Sequence, residues 1–354
     1  MKLHIFNPEH DLALAAHLRQ FTAPHAGRQL RSDLAFIPAL WADQGDLVLV
    51  DDIDNARDKV RHLGEHLLEK VEFITKLQLE HLLKTEFIDC VHPWGWDLSL
   101  KGELERIGLP EIMLPTDEVL DKVRAISSRQ WAAEHLQQDV VYADNFALVK
   151  ECVMKWGKAV VKAPWSSSGR GVKYVSADEF RTNGEYPAFQ RWVSNIIFRQ
   201  GGVTVEPYYN KVKDFGMEFE MRDGKVHYLG LSLFDTVKNA YTGNLLCSEE
   251  EKIEMIKKYI SEDALFSARQ KIINIVEPAL KESYNGPFGV DMMIAVKDGQ
   301  LELVTCIELN LRRTMGHVAL ELAKITKPQS LMRVDFDGNR YHLRVMPGKQ
   351  AADE

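Results

Sequence analysis

Residues 287–313, PFGVDMMIAVKDGQLELVTCIELNLRR, carry the densest set of side chains able to do chemistry in this 354-residue chain. Asp298-Gly299 is a strong two-residue hairpin turn, flanked by runs rich in Val, Ile, Leu and Met. Pairing Lys297 with Gln300 across that turn sets Asp291 opposite Cys306. Side chains two apart share a strand face, so Cys306, Glu308, Asn310 and Arg312 then fall on the side carrying Asp291. Asp291 and Glu308 are expected diagonally across the pair, roughly 7–8 Å apart at the backbone, with both carboxylates in reach of one ion. Two carboxylates, an amide oxygen and a guanidinium suit a Mg²⁺ ion carrying phosphates, because Mg²⁺ takes hard oxygen ligands and keeps sites for water and nucleotide. A hairpin with an ordinary polar face is the other reading of the same residues.

Two upstream segments bear on that chemistry. Lys162 closes a β run and leads into APWSSSGRGV, where small hydroxyl residues and glycines let backbone N–H groups approach phosphate oxygens. The lysine on the preceding strand is then placed to neutralise phosphates. The segment is not a Walker A loop, since GK[ST] is absent, and such turns also serve as plain flexible hairpins. VTVEPYY, residues 203–209, is a strand running into a Pro-containing link. Its Pro207 carbonyl can accept from an adenine amino group, its Tyr209 N–H can donate to a ring nitrogen, and Asp214 can accept from ribose hydroxyls. A domain linker with an incidental acid is the alternative.

The elements that must hold these groups follow from periodicity. In the first third, KLHIF, DLVLVDD and FIDCV read as strands, and residues 29–42, 54–71, 76–84 and 98–106 as helices. This alternation predicts a partly parallel sheet with ligand-facing loops at its strand ends. Pro110 and Pro115 mark a boundary. Beyond it come a helix starting at Ser127 or Ser128 and including Arg129, the strands KAVVKAP and VKYV, a helix around 262–282, and a last hairpin turning at Asp337-Gly338-Asn339. Residues 234–247 read as a polar loop over the site.

Hydrophobic residues at 45% and charged residues at 27% describe an ordinary globular chain long enough for two or three domains. A net charge of −8 argues against a duplex nucleic-acid binder. Cys90, Cys152, Cys247 and Cys306 form no CxxC pair, as expected of reduced thiols in a cytoplasmic protein. The N-terminus has no signal-peptide pattern, and no apolar run approaches the roughly 18–20 residues needed to cross a bilayer.

Taken in order, the segments resemble the ATP-grasp superfamily of carboxylate–amine ligases over residues 120–325. The resemblance implies a mixed α/β and α+β fold. Its parts would be an N-terminal Rossmann-like domain (1–117), a small α+β subdomain with a phosphate lid (118–204), a metal-bearing subdomain (205–345) and a polar tail (346–354). Carried over residue by residue, Arg129 stands for the first phosphate-contacting cation and Lys162 for the second. The lid is matched by Ser166, Ser167, Ser168, Gly169 and Gly171, the adenine hinge by Glu206, Pro207 and Tyr209, and the ribose contact by Asp214. Asp291, Glu308 and Asn310 look like the magnesium triad within the family's ExNxR signature, here ELNLR. Arg312 is favoured for stabilising the transferring phosphoryl group, with Arg313 second. The family usually has Lys where Arg129 stands, and two extra residues separate Asp291 from Glu308.

The activity so implied is ATP-dependent joining of a small-molecule carboxylate to an amine through an acyl phosphate. The cofactors would be ATP and Mg²⁺, with Mn²⁺ a substitute and neither nucleic acid nor membrane as partner. Alternatives are a kinase acting on a hydroxyl, with His10, His92 or Asp235 as base, and a non-catalytic ATP sensor. Candidate acceptor contacts are Asn7, His10 and Asp11 after the first strand, Trp94 and Asp97 in the loop HPWGWD, and Asn244. For these a capping or packing role is the competing expectation.

Overall fold

Short β-branched runs in the first hundred residues pair side by side. In the computed structural model, β1 (Lys2–Ile5), β2 (Asp46–Leu49), β3 (Val71–Ile74) and β4 (Cys90–Pro93) make a parallel sheet in the order β3-β2-β1-β4. Both faces are covered, which is why β2 is buried throughout its length. The structure describes residues 1–347 apart from 167–170, 183–185 and 238–239. Two periodicity readings need correction here. The helix expected over 54–71 stops at Arg61, and VEFI becomes β3. The helix expected over 29–42 is instead His25–Leu34 followed by a short 3₁₀ turn at Ile37–Leu40, because Pro38 cannot continue an α-helix.

The next sheet is antiparallel. Strands β5 (Val141–Ala143), β6 (Lys158–Lys162), β7 (Val172–Ser176) and β8 (Val203–Pro207) lie in the order β5-β8-β6-β7. Val161, Val175 and Val205 meet Val153, Phe189 and Val193 from the helices Phe146–Trp156 and Pro187–Gln200. Strand β6 is central, so its last residue, Lys162, is carried to the sheet end with its stem buried.

The chain then runs through β9 (Asn210–Arg222), β10 (Lys225–Ser232), β11 (Phe234–Val237), β12 (Ala240–Leu246), β13 (Gly286–Lys297), β14 (Gln300–Asn310), β15 (Ser330–Phe336) and β16 (Tyr341–Pro347). These build two antiparallel sheets, ordered β10-β9-β13-β14 and β11-β12-β15-β16. The expected loop over 234–247 is therefore the hairpin β11–β12, paired to β15 through Asn244, Leu245 and Leu246. The helix Glu262–Leu280 packs Leu265, Ile272 and Val276 against Phe215, Phe219 and Phe288. Leu246, Val318, Leu322 and Met332 share a cluster with Phe6, Leu34 and Trp94. The last hairpin and the first strand's loop thus belong to one apolar core. Among the described residues no helix is long and apolar enough to cross a membrane.

Candidate functional site

The β13–β14 hairpin turns where expected, with Asp298 at φ 51° and Gly299 at φ 79°, the left-handed pair that a tight hairpin demands. Lys297 pairs with Gln300 and Met293 with Val304, yet Asp291 pairs with Glu308 rather than Cys306. Met292 alone faces Thr305, Cys306 and Ile307 across a bulge, which absorbs the two extra residues noted in the sequence. Cys306, 2% exposed, turns into the core, so it leaves the ligand face. The two carboxylates stand directly opposite, where paired side chains come closest, not on a diagonal.

Their surroundings are unusually polar for a buried place. Asn310 donates to Asp291 Oδ2 at 3.2 Å, and Arg129 Nη2 donates to Glu308 Oε1 at 2.6 Å. Burial, and then the neighbouring Glu308 carboxylate, push the Asp291 carboxyl up to about 7. A carboxylate pair frustrated in this way is relieved by a cation. Among the described residues no three His, Cys, Asp or Glu side chains converge on one point. The donor set is two carboxylates and an amide, which fits a hard divalent ion that completes its shell with water and phosphate oxygens.

Arg129 is held by the helix Arg129–His135, whose N-cap Ser128 accepts from Trp131 N–H at 3.1 Å. Its Nη1 reaches the Ala163 carbonyl at 2.7 Å and Ser166 Oγ at 2.8 Å, tying the β13–β14 hairpin to the loop after β6. That loop is anchored at its start, since Trp165 Nε1 donates to the Arg124 carbonyl at 3.0 Å and its ring lies 3.7 Å beneath the Arg124 guanidinium. At its other end Gly171 is required, because a Cβ there would stand 2.4 Å from Ser166 Cβ. Ser167, Ser168 and Gly169 lie outside the described residues, as does the side chain of Asp235.

Two cavities meet at the carboxylate pair. The first, about 530 Å³, is bounded by Arg129, Lys162, Glu206, Tyr209 and Asp214, with Val160, Met292 and Ile307 as apolar walls. Lys162 Nζ is 2.6 Å from Glu206 Oε1, both nearly buried, leaving two of its three ammonium donors for a ligand. Tyr208 N–H is spent on the Lys158 carbonyl at 3.0 Å, which fixes the strand exit beyond Pro207. The second cavity, about 380 Å³, has Asp11, Glu218, Asn244, Asn310 and Arg312 on one part of its wall and Phe6, Leu34 and Trp94 on another. Asp291 and Glu308 line both.

The fold of this chain matches solved structures. Biotin carboxylase from Campylobacter jejuni in a β,γ-ATP complex aligns with a TM-score of 0.54 at 12% identity, over 94% of this chain and 75% of that one. The biotin carboxylase domain of a 2-oxoglutarate carboxylase from Hydrogenobacter thermophilus, with MgADP, ADP and bicarbonate, aligns at 0.53 and 13% over 94% and 74%. A putative ATP-grasp superfamily protein from Archaeoglobus fulgidus aligns at 0.50 and 13% over 98% and 99%. The chain has the ATP-grasp fold. No family model and no curated protein sequence matches it.

Within the ATP-grasp frame, several expected contacts move. Arg312 lines the second cavity but is clamped by Asp11, Nε to Oδ1 at 2.9 Å and Nη2 to Oδ2 at 2.8 Å, with Asn310 Oδ1 at 2.9 Å. Asp11 is thus Arg312's counter-ion rather than a group open to an acceptor. Arg313 leaves the site altogether. Its guanidinium stacks 4.1 Å from the Trp41 ring, because residues two apart share a face and Arg313 is out of phase with Glu308. Asn7 and Asp97 touch neither cavity. Asn7 staples Gly95 by donating to its carbonyl and accepting from its N–H, while Asp97 caps the helix Leu98–Ile107 at Leu100 N–H, 2.9 Å away. His10 Nδ1 sits 3.1 Å from Asp97 Oδ2, buried beneath the loop. His92 stands beside His4 at the parallel sheet, 5.4 Å between rings. Trp94 is 4% exposed, its ring crosses that of Phe6 nearly at right angles, and it lines the second cavity. Asn244 is buried there and donates to Ser232 Oγ at 2.7 Å. Glu218 escaped sequence reading, and Thr314 and His317, expected only at the start of a helix after β14, were not linked to it. The available signal was a glutamate within the apolar run of β9, but its partners come from the N-cap and first turn of a helix about a hundred residues on.

Proposed function

We propose that this ATP-grasp protein is an ATP-dependent ligase that activates a small-molecule carboxylate as an acyl phosphate and joins it to an amine. The observation carrying this reading is that two cavities share one wall, Asp291 and Glu308. A nucleotide in the cleft of Lys162, Glu206 and Asp214 would present its terminal phosphate at that wall, facing whatever occupies the second cavity. Bound there by Asp291, Glu308 and Asn310, Mg²⁺ would neutralise phosphate charge. Arg129 and Lys162 then balance the remaining charge from the β6 side, and Arg312 does so from the acceptor side. Ser166 stands at the neck that a closing lid would use to exclude water, which matters because acyl phosphates hydrolyse.

A hydroxyl acceptor needs a base, a carboxylate acceptor does not. Neither His10 nor His92, two of the three bases considered for a hydroxyl, lines either cavity, which supports the carboxylate reading. In this reading residues 1–117 contribute acceptor contacts, 118–204 the lid and 205–345 the metal hairpin. The test is nucleotide turnover, read as ADP and phosphate, on a panel of carboxylates with and without an amine. Turnover that needs both partners supports ligation. Phosphorylation of a hydroxyl compound without any carboxylate overturns it. Lys162→Met should weaken Mg·ATP binding by about tenfold or more, for loss of a charge-assisted contact.

A further inference from the structure

Glu218 lies in the middle of β9, 3% exposed, facing Gly289 on β13 and Gly230 on β10 across the sheet. Space has been reserved for its carboxyl group. A Cβ on Gly289 would stand 2.6 Å from Oε2, and one on Gly316 only 1.9 Å from Oε1. Thr314 Oγ1 donates to Oε2 at 2.8 Å, and His317 Nδ1 lies 3.0 Å from the same oxygen.

The hydrogen bonds of His317 locate the proton. Its Nε2 is 3.1 Å from the Phe219 carbonyl, which can only accept, so Nε2 carries the ring proton. Its Nδ1 accepts from the Thr314 N–H at 3.1 Å. Nδ1 has a single lone pair, taken up by that N–H with Thr314 Oγ1 3.0 Å away, so Glu218 Oε2 is tied to the ring through the Thr314 hydroxyl. Burial pushes this carboxyl up to about 8. Oε1 is left on the wall of the second cavity with no hydrogen bond to any described residue.

The charged groups of that wall have the same bias. Asp291 and Glu308 add acceptors and the cation there, Arg312, is already clamped by Asp11, so the Ser166 and Ser232 hydroxyls are the neutral donors on the wall. Opposite in character are Phe6, Leu34, Trp94, Met315 and Val334. A ligand for this cavity must bring hydrogen-bond donors and an apolar body. We infer that the second cavity takes a primary amine borne on an apolar group about the size of leucine or phenylalanine, with its nitrogen against Oε1 of Glu218. This rests on the reading of that cavity as the place where an acyl phosphate forms and its amine attacks, and names the class of that amine.

The test uses the intact wild-type chain and calorimetric titration with L-leucine and L-phenylalanine. Their des-amino counterparts, 4-methylpentanoate and 3-phenylpropanoate, and glycine are titrated alongside. Removing the nitrogen leaves Oε1 unpaired, so the des-amino acids should bind at least about tenfold more weakly than the amino acids. Glycine should also bind at least about tenfold more weakly, for want of an apolar body. Equal affinity for the des-amino acids, equal affinity for glycine, or no binding of either apolar amino acid overturns the inference. Glu218→Leu should erase the preference for the amine. A separate titration with a non-hydrolysable ATP analogue and Mg²⁺ reports on the first cavity. Nucleotide binding without amine selectivity sinks this inference alone, and amine selectivity without nucleotide binding sinks the ligase reading alone.

Discussion

The ion pair between Asp11 and Arg312 joins residues 301 apart in sequence and couples the N-terminal loop to the end of the β13–β14 hairpin. Its side chains are 20% and 18% exposed, and the contact is bidentate. Removing one member of a buried pair costs about 3–5 kcal/mol, because the other is left charged and unpaired. Arg312 keeps Asn310 Oδ1 and the Arg313 carbonyl as acceptors, so Asp11→Ala should cost less, about 2–3 kcal/mol. Arg312→Ala strands Asp11 and should cost a similar amount. The double variant should be no worse than either single one, giving a coupling of about 2 kcal/mol by urea denaturation at pH 7. The pH dependence has a definite sign. Burial alone would raise the Asp11 carboxyl, but the Arg312 guanidinium outweighs it and holds it below its ordinary value. Its stabilising contribution is thus complete above the unfolded carboxylate range and lost as pH falls through the lower folded value. Coupling at pH 7 below about 0.5 kcal/mol, or a coupling that grows on acidification, would refute the argument.

Other outcomes follow from the same geometry. Glu308→Gln should lower Mg²⁺-dependent nucleotide turnover by about 10²-fold or more, since charge stabilisation of transferring phosphate is the main catalytic term; unchanged turnover would remove Glu308 from the metal site. Because the folded Asp291 carboxyl is raised to about 7 by burial and then by Glu308, its contribution to stability is full below the unfolded carboxylate range and lost as pH rises to about 7. Saturating Mg²⁺ and nucleotide should reverse that trend, and a metal-independent pH profile of melting would contradict it. Gly316→Ala places a Cβ 1.9 Å from Glu218 Oε1, and should destabilise by about 1–3 kcal/mol through overpacking, measured by denaturation.

Local chemistry made the β13–β14 hairpin legible. Asp298-Gly299 can hardly be anything but a tight turn, and the alternation of β14 before and after its bulge puts Glu308, Asn310 and Arg312 on one face whatever else packs nearby. The Ser128 cap, Lys162 at the end of β6 and the Glu206–Tyr209 strand exit were equally local, each written in a few adjacent residues. Register was not. A bulge depends on whether Cys306 gains more by entering the core than the ladder loses, and only the packed helices around it decide that. The same holds for Asn7, Asp11 and Asp97, whose polar atoms suit a ligand or a neighbour equally well until the fold supplies Gly95, Arg312 and a helix N-terminus. Residues 234–247 looked like a loop because polar residues, Gly243 and Asn244 interrupt them, yet pairing with β15 makes Asn244, Leu245 and Leu246 strand. From the sequence alone came the elements and the chemistry of single short segments. Tertiary structure alone decided which polar groups are spent on each other and which, like Glu218 Oε1, remain on a cavity wall, because hydrogen-bond satisfaction is settled between residues as far apart as Glu218 and Thr314, 96 positions on.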